Sequence, residues 1–243
     1  HLFLLWYGDI LVIYALVGSV AFLLRRLPVR WLVVCGGLLL GVAIAIWLGF
    51  AGLMVLAESL DPGSTAEVEA YDVQGIEAEI AAYRGGPLSQ LTHRVPSALF
   101  MLLFIGPILM YWWAGGMMLL GMAAMKTRLV TGELPTKVYA LLLAIGLCVG
   151  LPLAAVLAAH HLASATQSAA VMFALMAAHS AVTVLMVCGW VGGVLLLCKQ
   201  SWFSKLSHPL ASVGRMALTN YLAQTVVVTF IFYGHGLGYF VKL

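Results

Sequence analysis

Residues 31–57 read WLVVCGGLLLGVAIAIWLGFAGLMVLA, an apolar run without a charged side chain. A helix needs ~20 apolar residues to cross the hydrocarbon core of a bilayer, so this stretch predicts a transmembrane helix. Working outward, apolar runs bounded by charged or turn residues predict six spans, at 2–24, 31–57, 95–125, 138–160, 168–198 and 212–233. Gly106-Pro107 lies inside the third, where a proline removes one backbone hydrogen bond and predicts a kink. The expected fold is all-α: one polytopic helical bundle over residues 1–243, interrupted by a connector at 58–94.

Composition agrees. Of the 243 residues 63% are apolar and 9% charged, whereas soluble domains carry ~25% charged residues. A soluble fold of this kind would expose large apolar patches, which excludes that class. Cys35, Cys148, Cys188 and Cys198 fall in or beside apolar runs and lack zinc or redox spacing, so they read as packing residues. The sequence starts at His1, already inside an apolar stretch, with no charged n-region or cleavage site before it. That predicts an N-terminal portion beyond this sequence.

Lysines and arginines set the orientation. Arg25, Arg26, Arg30, Lys126, Arg128, Lys137, Lys199, Lys205 and Arg215 fall on one side, and Arg84, Arg94 and Lys242 on the other. This bias predicts cytoplasmic loops at 25–30, 126–137 and 199–211, with both ends of the sequence outside. The connector 58–94 then lies outside and holds seven of the nine acidic residues. Within it Val73, Ile76, Ile80 and Tyr83 recur at helical spacing, predicting a short amphipathic helix that Gly85-Gly86-Pro87 ends. It reads either as a solvated connector or as a lid over an outward-facing cavity.

Asp9 is the one carboxylate inside an apolar run. It lies 16 residues before Arg25, about 24 Å along a helix, which places it just under the outer interface. Trp6 and Tyr7 suit an aromatic belt at that depth. Two readings stand: a carboxylate that only reaches interfacial water, or a general base or cation partner at a cavity mouth. In the last span Asn220 and Gln224, at i and i+4, share a face near Thr219. They suit hydrogen bonding between helices or the binding of a ligand. Arg215 satisfies the positive-inside bias or meets an anionic phosphate. His179, mid-span, is either a hydrogen-bonded neutral imidazole or a proton relay. No metal site is expected, because no carboxylate or cysteine stands at ligand spacing to the histidines. Phosphate-cradling loops, nucleophile elbows and dinucleotide fingerprints are absent from the sequence. The sparse interfacial basic residues give no case for nucleic acid.

Three stretches resemble one family. They are HLFLLWYGD at 1–9, YRGGPLSQLTHR at 83–94 leading to LLGMAAMK at 119–126, and GRMALTNYLAQTVVVTFIFYGHGLG at 214–238. Together they resemble the YeiB-like proteins (domain of unknown function 418) of the bacterial inner membrane, over nearly the whole chain. The resemblance implies further membrane helices upstream. It also implies kinship with transmembrane acyltransferases, which pass an acyl group from a cytoplasmic thioester to an acceptor, often a sugar, across the membrane. It adds weight to His1, Trp6, Tyr7, Gly8, Asp9, Arg84, Arg94, Gly214, Arg215, Thr219, Asn220, Tyr221, Gln224, Tyr233 and Gly234.

On this basis the expected activity is acyl transfer from an acyl-CoA-type co-substrate, with no permanently bound cofactor. Asp9 with His1 would take the acceptor proton. Arg84 and Arg94 would hold an anionic acceptor, and Arg215 with Asn220 and Gln224 would hold the donor. Trp6, Tyr7 and Tyr233 complete the candidate binding set. The alternatives are a transporter or channel using Asp9, His179 and Asn220 as a relay, and a non-catalytic scaffold. No internal repeat of the kind many secondary transporters carry is found.

Overall fold

The computed structural model describes residues 9–65, 73–163 and 168–240, and among them every regular element is helical. In order these are α1 (Ile10–Leu23), α2 (Val29–Leu60), α3 (Val73–Arg84), α4 (Pro87–Phe100), a π-helical stretch (Met101–Met110), α5 (Tyr111–Lys126), α6 (Thr136–Ile145), a second π-helical stretch (Gly146–Gly150), α7 (Leu151–Ala163), α8 (Ala169–Cys198), α9 (Ser204–Arg215) and α10 (Ala217–Phe232). Four continuous helices, Val29–Leu60, Pro87–Lys126, Thr136–Leu162 and Ala169–Cys198, are long and apolar enough to cross a membrane, and α10 is a shorter apolar helix. Their outward faces carry Leu38, Leu53, Leu103, Leu141, Val156 and Trp190, all exposed. An exposed aliphatic surface of this kind is what a lipid solvent requires. The protein is a membrane protein.

Some helix bounds differ from the sequence reading. The end of the connector at 87–94 is already α4, because Pro87 occupies the first turn, where its missing N–H costs nothing. The loop expected at 199–211 is largely α9. There Leu206, Leu210 and Val213 are exposed along one side while Lys205, His208 and Ser212 alternate with them. The last span is broken at Met216 (φ −101°, ψ 17°) between α9 and α10. The amphipathic helix predicted in the connector is α3, and it stops where the glycines begin.

The chain divides into two compact units. The larger comprises 18–65, 112–163 and 168–207. Here α8 packs along α2, α6 and the second π-helical stretch. The contact with α6 runs through a seam of glycines. A Cβ on Gly189 would lie 2.6 Å from the Cα of Gly146, and one on Gly192 would lie 2.5 Å from the Tyr139 carbonyl. Small residues of this kind let membrane helices approach backbone to backbone, where burial of apolar surface supplies no driving force. Gly36 and Gly116 do the same between α2 and α5, next to a cluster of Ala21, Leu32, Leu119 and Ala123. Cations close the loops at one end: Lys126 Nζ donates to the Leu27 carbonyl and Lys199 Nζ to the Leu134 carbonyl, each at 2.6 Å. At the far end of α2, Glu58 accepts from the Gly63 N–H and the Thr65 hydroxyl, which shapes the turn after the helix.

The smaller unit comprises 9–17, 73–111 and 208–240. Its π-helical stretch follows from Gly106-Pro107. In π geometry residue 107 would donate to the carbonyl of residue 102, but proline has no N–H. The Leu102 carbonyl accepts instead from the Tyr111 hydroxyl at 2.7 Å. Tyr111 reaches back over Gly106, where a Cβ would stand 2.6 Å from its ring.

Candidate functional site

Polar side chains in the smaller unit gather at the elbow between α3 and α4. The last turn of α3 carries Tyr83 and Arg84, Gly85 and Gly86 turn the chain, and α4 presents Gln90, His93 and Arg94 at i, i+3 and i+4. Gln90 is buried and organises the elbow. Its Nε2 donates to the carbonyls of Tyr83 (3.2 Å) and Gly85 (2.9 Å), satisfying groups left open at the helix end. Its Oε1 accepts from Arg94 at 3.5 Å and from His235 Nδ1 at 2.8 Å.

The segment after α10 folds back on this elbow. Gly234 N–H donates to the Tyr83 carbonyl at 2.9 Å, and Arg84 Nε donates to the Phe240 carbonyl at 3.0 Å. Gly234 has no room for a side chain, since a Cβ would collide with the Arg84 carbonyl. Aromatic rings seal the contact: Tyr83 packs on Tyr233 at 4.7 Å and on Phe240 at 5.3 Å, with His93 edge-on at 5.7 Å.

Arg94 lies in the middle. It is only 2% exposed, and its guanidinium sits 5.7 Å from the Tyr83 ring centre and 5.5 Å from that of Tyr233. Two aromatic rings within cation–π reach and a long contact to Gln90 hold this planar five-donor group in a buried setting. A guanidinium so held suits carboxylate, phosphate or a developing oxyanion.

Asp9 forms the second polar centre of this unit. It precedes α1 rather than lying inside a helix, and Oδ1 accepts from the Leu11 N–H at 3.0 Å, the bond of an N-cap. The same oxygen accepts from the Tyr221 hydroxyl of α10 at 2.8 Å. At 2% exposure Asp9 is buried, and its partner Tyr221 lies in the first third of α10, six residues after Arg215. A buried carboxylate held by a tyrosine hydroxyl and a backbone N–H has the fixed geometry that a general base needs.

The other predicted residues have different surroundings. Arg215 is exposed and donates to the Ser212 hydroxyl at 2.9 Å. The Asn220 amide donates to the Val213 carbonyl at 3.3 Å, bridging the break at Met216, which gives it a structural task at the junction of α9 and α10. Gln224 is exposed on α10. His179 belongs to the larger unit, half-buried on α8, where its carbonyl accepts from Thr183. His1, Trp6 and Tyr7 lie outside the described residues. Sequence reasoning passed over Gln90 and His235 and gave Tyr83 only a place in an amphipathic stripe. Tyr221 was noted as part of a block but without a role. Their signal was present in the quoted stretches 83–94 and 214–238.

Residues 123–243 match the family described as protein of unknown function DUF418. The chain belongs to the DUF418 family. It is 31% identical to the uncharacterized protein YxaH of Bacillus subtilis (strain 168), over all of this chain and 58% of that protein. It is also 31% identical to the uncharacterized protein YeiB of Escherichia coli (strain K12), over 98% of this chain and 60% of that protein. The chain thus spans about three fifths of the length of these relatives. No solved structure matches it.

Proposed function

We propose that this chain is part of a bacterial inner-membrane acyltransferase that passes an acyl group from a cytoplasmic acyl-CoA-type donor to an extracytoplasmic acceptor such as a sugar. The observation that carries this reading is convergence. In a chain with 9% charged residues, Asp9, Tyr221, Arg84, Gln90, Arg94, Tyr233 and His235 all belong to one compact unit, and hydrogen bonds or ring contacts link them in two groups. The nine-to-three distribution of basic residues favours the connector and the segment after α10 lying outside. That puts the Arg94 elbow on the acceptor side.

In this reading the Asp9 carboxylate takes the proton from an acceptor hydroxyl. The acceptor oxygen attacks the thioester carbonyl, the C–S bond breaks, and the thiolate leaves to be protonated by solvent. Arg94 positions an anionic group on the acceptor, while Arg215, beside the inner interface, meets donor phosphate. Tyr221 is a positioning residue: it holds the Asp9 oxygen without touching substrate.

The test is release of free CoA from acetyl-CoA by the purified protein in proteoliposomes supplied with a sugar acceptor. Asp9→Asn is expected to abolish release while leaving acetyl-CoA binding intact, and Arg215→Ala to weaken binding. Wild-type kinetics in both variants would refute the assignments. A change in the pH dependence of sugar uptake in Asp9→Asn, without CoA release by the wild type, would move the same residues to a transport role.

A further inference from the structure

The larger unit contains a groove that plays no part in the reading above. It lies between α2, α5, α6 and α8, encloses about 360 Å³, and is walled by Val33, Leu120, Gly121, Leu142, Val187 and Val191. From Thr127 back to Met117, both in its lining, it follows α5 for ~15 Å. Its walls are almost wholly aliphatic, and Gly121 leaves open space where a side chain would stand.

One end of the groove opens at the loops richest in cations. Thr127, Leu129 and Val130 line that end, with Arg128 between them, and Val29 lines it beside Arg30. Arg25, Arg26, Lys126, Lys137 and Lys199 belong to the same set of loops and are all exposed. The acid among these loops is Glu133, paired with Arg128 at 2.7 Å. An apolar slot running from a cationic rim toward the helix interiors matches one kind of molecule: an acyl chain joined to an anionic headgroup.

We propose that this groove binds one acyl chain of an anionic glycerophospholipid from the surrounding bilayer, with Arg30 and Arg128 meeting its phosphate. The site is independent of the acyl-transfer reading, because it uses none of the residues assigned there.

The test is native mass spectrometry of the purified protein from mixed micelles holding equal amounts of phosphatidylglycerol and phosphatidylcholine. Wild type is expected to retain phosphatidylglycerol over phosphatidylcholine by about fivefold for each cation engaged, the factor one basic residue contributes near an anionic surface. Gly121→Leu fills the slot without meeting backbone and is expected to lose the retained lipid. The pair Arg30→Gln and Arg128→Gln is expected to keep a lipid but lose the headgroup preference. Retention unchanged in Gly121→Leu overturns the proposal. So does a wild type that retains no phospholipid, which would mean that protein covers the groove. Displacement of bound lipid by palmitoyl-CoA at concentrations where added phosphatidylglycerol fails also overturns it, and makes the groove a donor site.

Discussion

The bond between Asp9 and Tyr221 joins the start of α1 to α10, and its energy can be bounded before it is measured. Tyr221→Phe removes one hydroxyl and leaves the ring in place. The lost bond is short, 2.8 Å, and ends on a carboxylate that is 2% exposed. Hydrogen bonds between membrane helices average about 0.6 kcal/mol and reach about 1.7. Bonds to charged groups contribute about 1.5–3 kcal/mol. Because Leu11 N–H shares the same oxygen, part of the charge stays solvated by protein in the variant. The expected cost is therefore about 1.5 kcal/mol, where the two ranges meet. Asp9→Asn keeps the shape and an acceptor oxygen but removes the charge. Because Asn would still accept from the hydroxyl, the double-mutant cycle that isolates the pair runs over Asp9→Ala and Tyr221→Phe, read by chemical denaturation in detergent. The coupling is expected at about 1 kcal/mol or more. Additivity within about 0.3 kcal/mol would show that the bond orders nothing and would refute Tyr221 as a positioning residue.

Four further substitutions test packing, hydrogen bonding and charge. Gly189→Ala drives a methyl into the backbone of Gly146 and is expected to cost about 1–3 kcal/mol, as overpacking does. Gly41→Ala, on the open side of α2 with nothing within 4 Å, is expected to stabilise by up to about 1 kcal/mol through helix propensity; melting temperatures that move together would contradict the seam. Gln90→Leu leaves the Tyr83 and Gly85 carbonyls without the amide and releases His235. It is expected to cost about 1–3 kcal/mol and to speed proteolysis after Phe232 while the larger unit stays protected. Arg128→Gln removes an ion pair whose partners are 72% and 53% exposed, so a stability change within about 0.5 kcal/mol is expected, checked by the same denaturation curve.

How far the sequence could be read follows from what each signal depends on. Transmembrane helices, the amphipathic helix α3 and its end at Gly85-Gly86 were legible because hydropathy and turn chemistry are local. The distortion at Gly106-Pro107 was legible as a break in the ladder. Its repair by Tyr111 was not, since that depends on where a ring folds back. The first part of helix α9 was missed because Lys205 and His208 marked it as a loop, while its apolar side is carried by only a few residues. The candidate site shows the same division. Asp9 was visible as a charge in an apolar run, and Arg94 as an outer-side cation within the block at 83–94. Gln90 and His235 carry no such contrast, and their value comes from a fold-back that joins residues 145 positions apart. Asn220, a polar group in an apolar helix, drew attention for its chemistry, yet its amide is spent on the Val213 carbonyl at a helix break.

The most direct test of acyl transfer is the thermal stability of the purified protein with acetyl-CoA, against free CoA and buffer. At 100 times its dissociation constant a ligand stabilises by about 2.7 kcal/mol. The account predicts a clear upward shift with acetyl-CoA that Asp9→Asn retains and Arg215→Ala loses. The absence of any shift with acetyl-CoA and with longer acyl-CoAs would contradict it.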